Sequence, residues 1–289
     1  MTLNTLSSNR WRSKRRQEIV RVVLVTLLRV ALGFMVAVPF FWLVTTSLKP
    51  ENQLFRVPVV WIPQPIMWSN YVRAVQYIPF FTYLKNTLTI AVPATVFTTV
   101  SSSFVAYGFS RIQWPGRDAV FMVLISTMML PYQVTMVPLF VVFKNLGWID
   151  TYRPLVVPTL FGGAFYIFLI RQFLMSLPMD LQDAARIDGC SELRIYAQIM
   201  LPLTKPALAT TALLTFIGYW NEFLMPLIYI NTNDKFPLAL GLQQFQRQYG
   251  AEWALLMAAS TLMTIPIIIL FFATQKTFIR GIALTGIKG

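Results

Sequence analysis

The sequence predicts an all-α protein that crosses a membrane several times. Three observations point there. Hydrophobic residues make up 56% of the 289-residue chain and charged residues only 12%, about half the charged share of an ordinary soluble domain. Several apolar runs are long enough to cross a bilayer, which takes about 20 residues each. Basic residues stand between and beside those runs, where they anchor helix ends, and form no continuous face. Peptide groups in lipid must be hydrogen-bonded within the protein, so the runs are expected as helices.

The chain opens with a polar, basic stretch, residues 1–19, with Arg10, Arg12, Lys14, Arg15 and Arg16, and the basic N-terminus is taken to extend through residue 29, where Arg29 would snorkel toward the headgroups. An apolar run over 30–48 follows. It is too long for the core of a signal peptide and lacks a clean cleavage site, so it is taken as the first span. Residues 49–85 are rich in proline and aromatics and are expected outside the membrane, with a short interfacial helix near 68–77. The second span is placed at 87–107, where Ser101, Ser102, Ser103 and Ala106 permit close helix packing. A turn through Pro115 and Gly116 leads to a third span from Ala119. Pro131 removes a backbone donor inside it, so a break is expected there, with a second half-helix over 132–146. The fourth span is expected at 154–174, the fifth at 207–230 and the sixth at 253–272. A basic tail, 276–289, closes the chain. The membrane-spanning body is thus 30–275.

Six spans put both termini on one side. Lys and Arg number seven through Arg29, two over 111–117, four over 171–205 and three in the tail, sixteen in all, against eight in the remaining loops. That bias places both termini, and the loop 176–204 between spans four and five, in the cytoplasm.

Other function classes find little support. The net charge of +13 would suit nucleic acid, but no binding motif accompanies it, and no nucleic-acid partner is expected. The chain has no histidine and one cysteine, Cys190. An internal disulfide, a Cys/His metal site and a histidine base are therefore excluded, no catalytic residue is expected, and Cys190 is given no redox role. The glycine-rich tail ending in Lys288 faintly echoes a phosphate-binding loop, but no Ser or Thr follows the lysine and no strand–helix frame surrounds it.

The cytoplasmic loop is the most informative stretch. Pro178 suits a helix start, Asp180 and Asp183 complement a helix N-terminus, Gly189 suits a left-handed C-cap, and Ser191 can cap a second helix that Pro202 ends. Leu181, Ala184 and Ala185 share one side of the first helix, and Leu193, Tyr196, Ala197 and Met200 one side of the second. The residues alone fit either a hairpin that docks into a partner or one that lies on lipid headgroups. Asp183-Ala184-Ala185, three residues, Gly189, nine residues, then Ile199, Leu201 and Pro202 resembles the "EAA loop" of ABC importer permeases. Asp183 stands where that family usually carries glutamate. Further stretches resemble the carbohydrate-uptake group, similar to the second membrane subunit of maltose-type importers: WLVTTSLKP at 42–50, Asn70-Tyr71, FSRIQWPGR at 109–117, 127–131, Arg171-Gln172-Phe173, LPLTKPA at 201–207, WNEFL at 220–224, and Gly281 through Gly286-Ile287-Lys288-Gly289.

The resemblance implies the type I ABC importer permease fold. It implies that Asp183, Ala184, Ala185, Gly189, Ile199, Leu201 and Pro202 couple the chain to an ATP-binding subunit dimer. ATP and Mg would be bound on that dimer, with no cofactor on this chain. A second homologous permease, an extracytoplasmic solute-binding protein and membrane lipid would be the other partners. The carried solute would be a sugar or sugar derivative. Tyr219, Asn221 and Glu222 in the fifth span are candidates for the translocation path, because intramembrane charge is expensive; a structural pairing with a neighbouring helix explains Glu222 equally. The loop 231–248, with Asn233, Asp234, Gln243 and Gln244, is the candidate contact for the binding protein, although its composition also suits any solvated loop. The rival readings are an ion-coupled secondary transporter, which predicts repeats that the sequence does not display, and a membrane-embedded enzyme.

Overall fold

The computed structural model describes the backbone of residues 4–247 and 250–285, and the side chains of 17–246 and 250–275. The expected roles of the basic side chains at 10–16 and of the tail side chains at 276–289 lie outside the described residues. The helices are α1 Asn4–Ser47, α2 Ser69–Tyr77, α3 Phe80–Arg111, α4 Arg117–Ser126, α5 Tyr132–Asn145, α6 Arg153–Val156, α7 Ala164–Ser176, α8 Asp180–Ile187, α9 Glu192–Ile195, α10 Leu201–Leu203, α11 Lys205–Trp220, α12 Leu224–Tyr229, α13 Leu238–Gly241 and α14 Trp253–Thr285. Two short antiparallel strands, β1 Gln246–Arg247 and β2 Gly250–Ala251, pair with Gln246 opposite Ala251.

Four helical stretches are long and apolar enough to cross a membrane: Gln17–Ser47, Phe80–Arg111, Arg153–Ser176 and Trp253–Gln275. Two further pairs qualify only if each bent pair is one crossing. Arg117–Met129 meets Tyr132–Asn145 at 97°, and Glu192–Leu203 meets Lys205–Trp220 at 76°. The 97° bend falls at Pro131, whose extended backbone ends one half-helix and starts the next. Three expectations need adjustment. The first helix runs well ahead of residue 30, because nothing between 17 and 29 breaks a helix. The expected fourth span is interrupted at Gly162, whose φ is 75°. The expected fifth span stops at Trp220 and resumes at Leu224.

The chain divides into two compact units, Met1–Val72 with Glu252–Thr261, and Arg73–Ala251 with Leu262–Gly289. In the first, none of the apolar window of α1 is buried within the chain, so that surface is left for lipid or another helix to cover. The end of α1 is closed by distant side chains. The Asn70 amide donates to the Ser47 and Lys49 carbonyls at 2.9 and 3.0 Å. Ser47 Oγ and Tyr71 Oη lie 2.8 Å apart. The Lys49 ammonium stands 4.0 Å above the Trp42 ring, a cation–π contact. Two stretches singled out separately in the sequence, 42–50 and Asn70-Tyr71, therefore form one helix cap.

In the second unit, α3 is the long axis, about 48 Å at 1.5 Å per residue. Near one end, Ile90 packs with Phe143, Leu155, Tyr229 and Ile230. Near the other, Ala106, Tyr107 and Phe109 pack with Ile167, Ile170, Phe173, Ala185, Ile195 and Met200. Between them Ser102 Oγ accepts the Gly163 N–H at 3.1 Å. A Cβ on Gly162 would lie 3.0 Å from that same Oγ, so the glycine pair allows the interrupted helix to approach α3. Trp220 is buried and donates its indole N–H to the Met263 carbonyl at 3.1 Å, joining α11 to α14.

α13 meets the start of α3 at Gly241, where an added Cβ would fall 2.2 Å from the ring of buried Tyr83. Gly241→Ala is expected to destabilise the protein by about 1–3 kcal/mol, the usual range for overpacking. Thermal unfolding in detergent checks this, and an unchanged midpoint would contradict the contact.

Candidate functional site

The loop between α7 and α11 folds as a hairpin of α8 and α9. Asp180 and Asp183 occupy the first turn of α8, where the helix dipole favours negative charge. Gly189 ends it with φ 78°. Its N–H donates to the Arg186 carbonyl at 3.0 Å, and the Cys190 N–H reaches the Ala185 carbonyl at 2.9 Å. These two bonds form a Schellman cap, which requires the left-handed conformation that glycine adopts without strain. Ser191 takes the extended N-cap backbone, but its side chain makes no capping bond, so that expectation is corrected. The second helix is also not uniform. After α9, residues Tyr196–Met200 form a π-turn before α10, and Pro202 lies within α10 at its second position.

The hairpin has two distinct faces. Ile187 is 86% exposed and Leu193 64%, and Asp183, Ala184 and Gly189 are exposed beside them. Ala185, expected on that outward surface, turns inward with Ile195 and Met200 into the cluster around Ala106, Tyr107 and Phe109. Ile199 and Leu201 are half-buried, while Pro202 is exposed. Exposed apolar side chains on a structured hairpin make a surface suited to a protein partner.

Beneath that surface lies a polar node that the sequence reading did not single out. Tyr107 Oη donates to Glu192 Oε2 at 2.6 Å. The Gln182 amide donates to the same oxygen at 3.2 Å. Arg186 Nε donates to Glu192 Oε1 at 2.7 Å, and its Nη1 reaches Asp183 Oδ1 at 3.2 Å. Arg111, at the last turn of α3, donates to the Leu177 carbonyl at 2.8 Å and also to that of Leu174. The only sequence signal was a glutamine three residues ahead of inward Ala185, on the same helix side.

The residues expected in the fifth span sit at its break. Asn221 Nδ2 donates to the Ile217 carbonyl at 2.9 Å, closing α11. Glu222 Oε1 accepts the Met225 N–H at 3.0 Å, capping α12. The Glu222 side chain thus satisfies a backbone N–H released by the interruption, while the Asn221 side chain adds a second donor to a carbonyl that its own N–H also reaches. Tyr219 packs with the cluster of Ile90, Phe143 and Tyr229.

The loop after α12 is pinned by Asp150, a residue the sequence did not distinguish because its partners lie 81 to 85 positions later. Its carboxylate accepts the Asn231 and Thr232 N–H groups at 3.0 and 2.9 Å, the Thr232 hydroxyl at 2.8 Å and the Lys235 ammonium at 2.7 Å. Asn86 Nδ2 adds bonds to the Asp234 and Phe236 carbonyls at 2.7 and 3.0 Å. Asn233, Asp234 and Gln243 remain exposed. Gln244 instead turns in, and its amide donates to Tyr83 Oη at 2.8 Å. Among the described residues, no group of three Cys, Asp or Glu side chains is arranged to hold a metal ion.

Residues 99–284 match the family described as "Binding-protein-dependent transport system inner membrane component". The arabinooligosaccharides transport system permease protein AraQ of Halalkalibacterium halodurans is 33% identical over 261 residues, covering 89% of this chain and 93% of that protein. The trehalose/maltose transport system permease protein MalG of Thermococcus litoralis is 32% identical over 279 residues, covering 95% and 99%. Among solved structures, a chain of a bacterial ABC transporter involved in the import of the acidic polysaccharide alginate superposes with a TM-score of 0.77 at 26% identity, covering 92% of this chain and 98% of that one. The chain belongs to the family of inner-membrane components of binding-protein-dependent transport systems. It is a transport subunit and not an enzyme, and ATP hydrolysis resides on a separate partner subunit.

The hydrogen bond from Lys235, followed by those from Thr232, holds the Asp150 carboxyl well below the usual carboxylate range. A carboxylate whose folded value is depressed stabilises fully above its unfolded value, about 3.9, and loses that contribution as pH falls through the lower folded value. The loop 231–236 is therefore expected to stay pinned from neutral pH down to about pH 4 and to loosen only below it. Asp150→Asn should loosen it at neutral pH. Hydrogen exchange of residues 231–236 reports both, and equal protection in the variant would contradict the assignment.

Proposed function

We propose that this chain is one of two homologous permease subunits of an ABC importer for a sugar or oligosaccharide. The named relatives carry arabinooligosaccharides and trehalose or maltose, and the similar solved transporter imports alginate, also a carbohydrate polymer. In this reading the pair bent at Pro131 is one crossing and the stretch from Lys205 onward is another, with the hairpin left outside the membrane, giving six spans with both termini in the cytoplasm, in line with the sixteen-to-eight distribution of basic residues. The observation that carries the coupling role is the two-faced hairpin, with Asp183, Ala184, Gly189, Ile187 and Leu193 outward and Ala185, Ile195 and Met200 inward. The outward face docks on an ATP-binding subunit, which holds ATP and Mg. A dimer of that subunit and a second permease complete the membrane complex. An extracytoplasmic binding protein delivers the solute against the opposite side, where Asn233 and Asp234 project from the pinned loop and Gln243 is exposed just after α13. Asn221 and Glu222 shape the break at the path, with their side chains engaged in capping.

The transport cycle follows from this arrangement as alternating access. Closure of the ATP-bound dimer draws the two hairpins together and reorients the spans, and hydrolysis resets them. The ion-coupled reading is set aside, because the family is fed by a binding protein.

Purification in mild detergent from native membranes, followed by mass spectrometry, is expected to recover a second permease and a Walker-type ATPase with this chain. Recovery of a transport-competent assembly of this chain alone would overturn the proposal. Gly189→Asp places a side chain at φ 78°, where left-handed backbone costs a non-glycine residue roughly 1–2 kcal/mol. The variant is expected to reach the membrane but to retain about tenfold less ATPase, equivalent to 1.4 kcal/mol, with uptake reduced in parallel. Normal uptake would remove the hairpin from the coupling role.

A further inference from the structure

The hairpin is joined to the rest of the bundle by two weak links. On one side, Leu177 is extended between α7 and α8. On the other, the π-turn Tyr196–Met200 and the 76° bend before α11 interrupt regular helix. A displacement applied to the outward face would be absorbed at those links unless something fastened the hairpin elsewhere. The inward apolar contacts of Ala185, Ile195 and Met200 attract but do not fix direction, because the hydrophobic effect is non-directional.

The polar node supplies the direction. Gln182 is 0% exposed, Arg111 1% and Tyr107 3%. From one helix, α3, Tyr107 holds Glu192 on α9, and the Arg111 carbonyl lies 3.5 Å from the Gln182 amide on α8. The same Arg111 side chain grips the carbonyls of Leu174 and Leu177, where α7 leads into the hairpin. Tyr196 Oη donates to Ser103 Oγ at 3.0 Å, tying the π-turn to the same helix. Both weak links and both hairpin helices are thus fastened to the last turns of α3. Buried hydrogen-bonded networks favour one arrangement over sliding alternatives, whereas apolar side chains would fill the space with less desolvation.

We propose that Tyr107 and Gln182 are positioning residues of the transport cycle, whose bonds to Glu192 make the hairpin and α3 move as one piece, so that motion of the ATPase reaches the long axis of the bundle. This rests on the coupling role under Proposed function and adds the route by which force enters the membrane.

The test uses the complete complex in proteoliposomes, with Tyr107→Phe and Gln182→Met. Neither side chain reaches the surface, so neither variant alters the docking face. Both are expected to keep the ATPase bound and hydrolysing ATP, while the solute carried per ATP falls about fivefold or more, the scale of a typical coupling energy. Loss of the ATPase from both variants would make the node a folding brace only and overturn the proposal. An unchanged solute-to-ATP ratio in either stably assembled variant would also overturn it. A wild-type chain that binds no ATPase would instead overturn the coupling role itself, and this inference with it.

Discussion

Peptide groups released where a helix breaks within an apolar layer find no water, and each such group left unpaired costs roughly 1–3 kcal/mol. The breaks in this chain are closed accordingly. Asn70 closes the end of α1. Asn221 and Glu222 close the two half-helices of the interrupted fifth segment. Arg111 closes the exit from α7. Ser102 takes the N–H freed at Gly163. The residues that look most like chemistry in the sequence, the amides and charges inside or beside apolar runs, are largely occupied in this way. That changes how Glu222 reads, because its carboxylate has an identified backbone partner.

The same bonding supports two ends with different requirements. The loop around Asp150 is exposed and charge-assisted, so it presents Asn233 and Asp234 from a fixed base without burying them. The hairpin is built differently: Tyr107, Gln182 and Glu192 bond on its inner side, next to the inward Ala185, Ile195 and Met200, while Ile187 and Leu193 stand exposed among charged neighbours. Leaving Ile187 and Leu193 exposed is costly for an isolated hairpin. It is sensible where another protein covers the outside and the inside must hold its orientation under load.

Much of the architecture was legible in linear pattern. The break at Pro131 follows from a missing donor, and the turn at Gly189 from a conformation only glycine adopts cheaply. The spacing from Asp183 to Pro202 led to the family that residues 99–284 match. The interruption at Gly162 was not expected from the sequence, since Ser102, which takes the Gly163 N–H, lies 61 residues earlier. The side of the hairpin on which Ala185 falls was misjudged for a related reason. Helical spacing groups neighbours but does not say which neighbour faces the bundle.

The sequence by itself determined the class of protein, the positions of the apolar segments and the identity of the turn residues, because hydropathy, proline and glycine act locally. Only the tertiary structure decided what Tyr107, Gln182, Arg111 and Asp150 do. Their partners lie 63 to 85 residues away along the chain, apart from the ten-residue step from Gln182 to Glu192. A hydrogen bond depends on an approach of about 3 Å in space, and no local pattern encodes that approach.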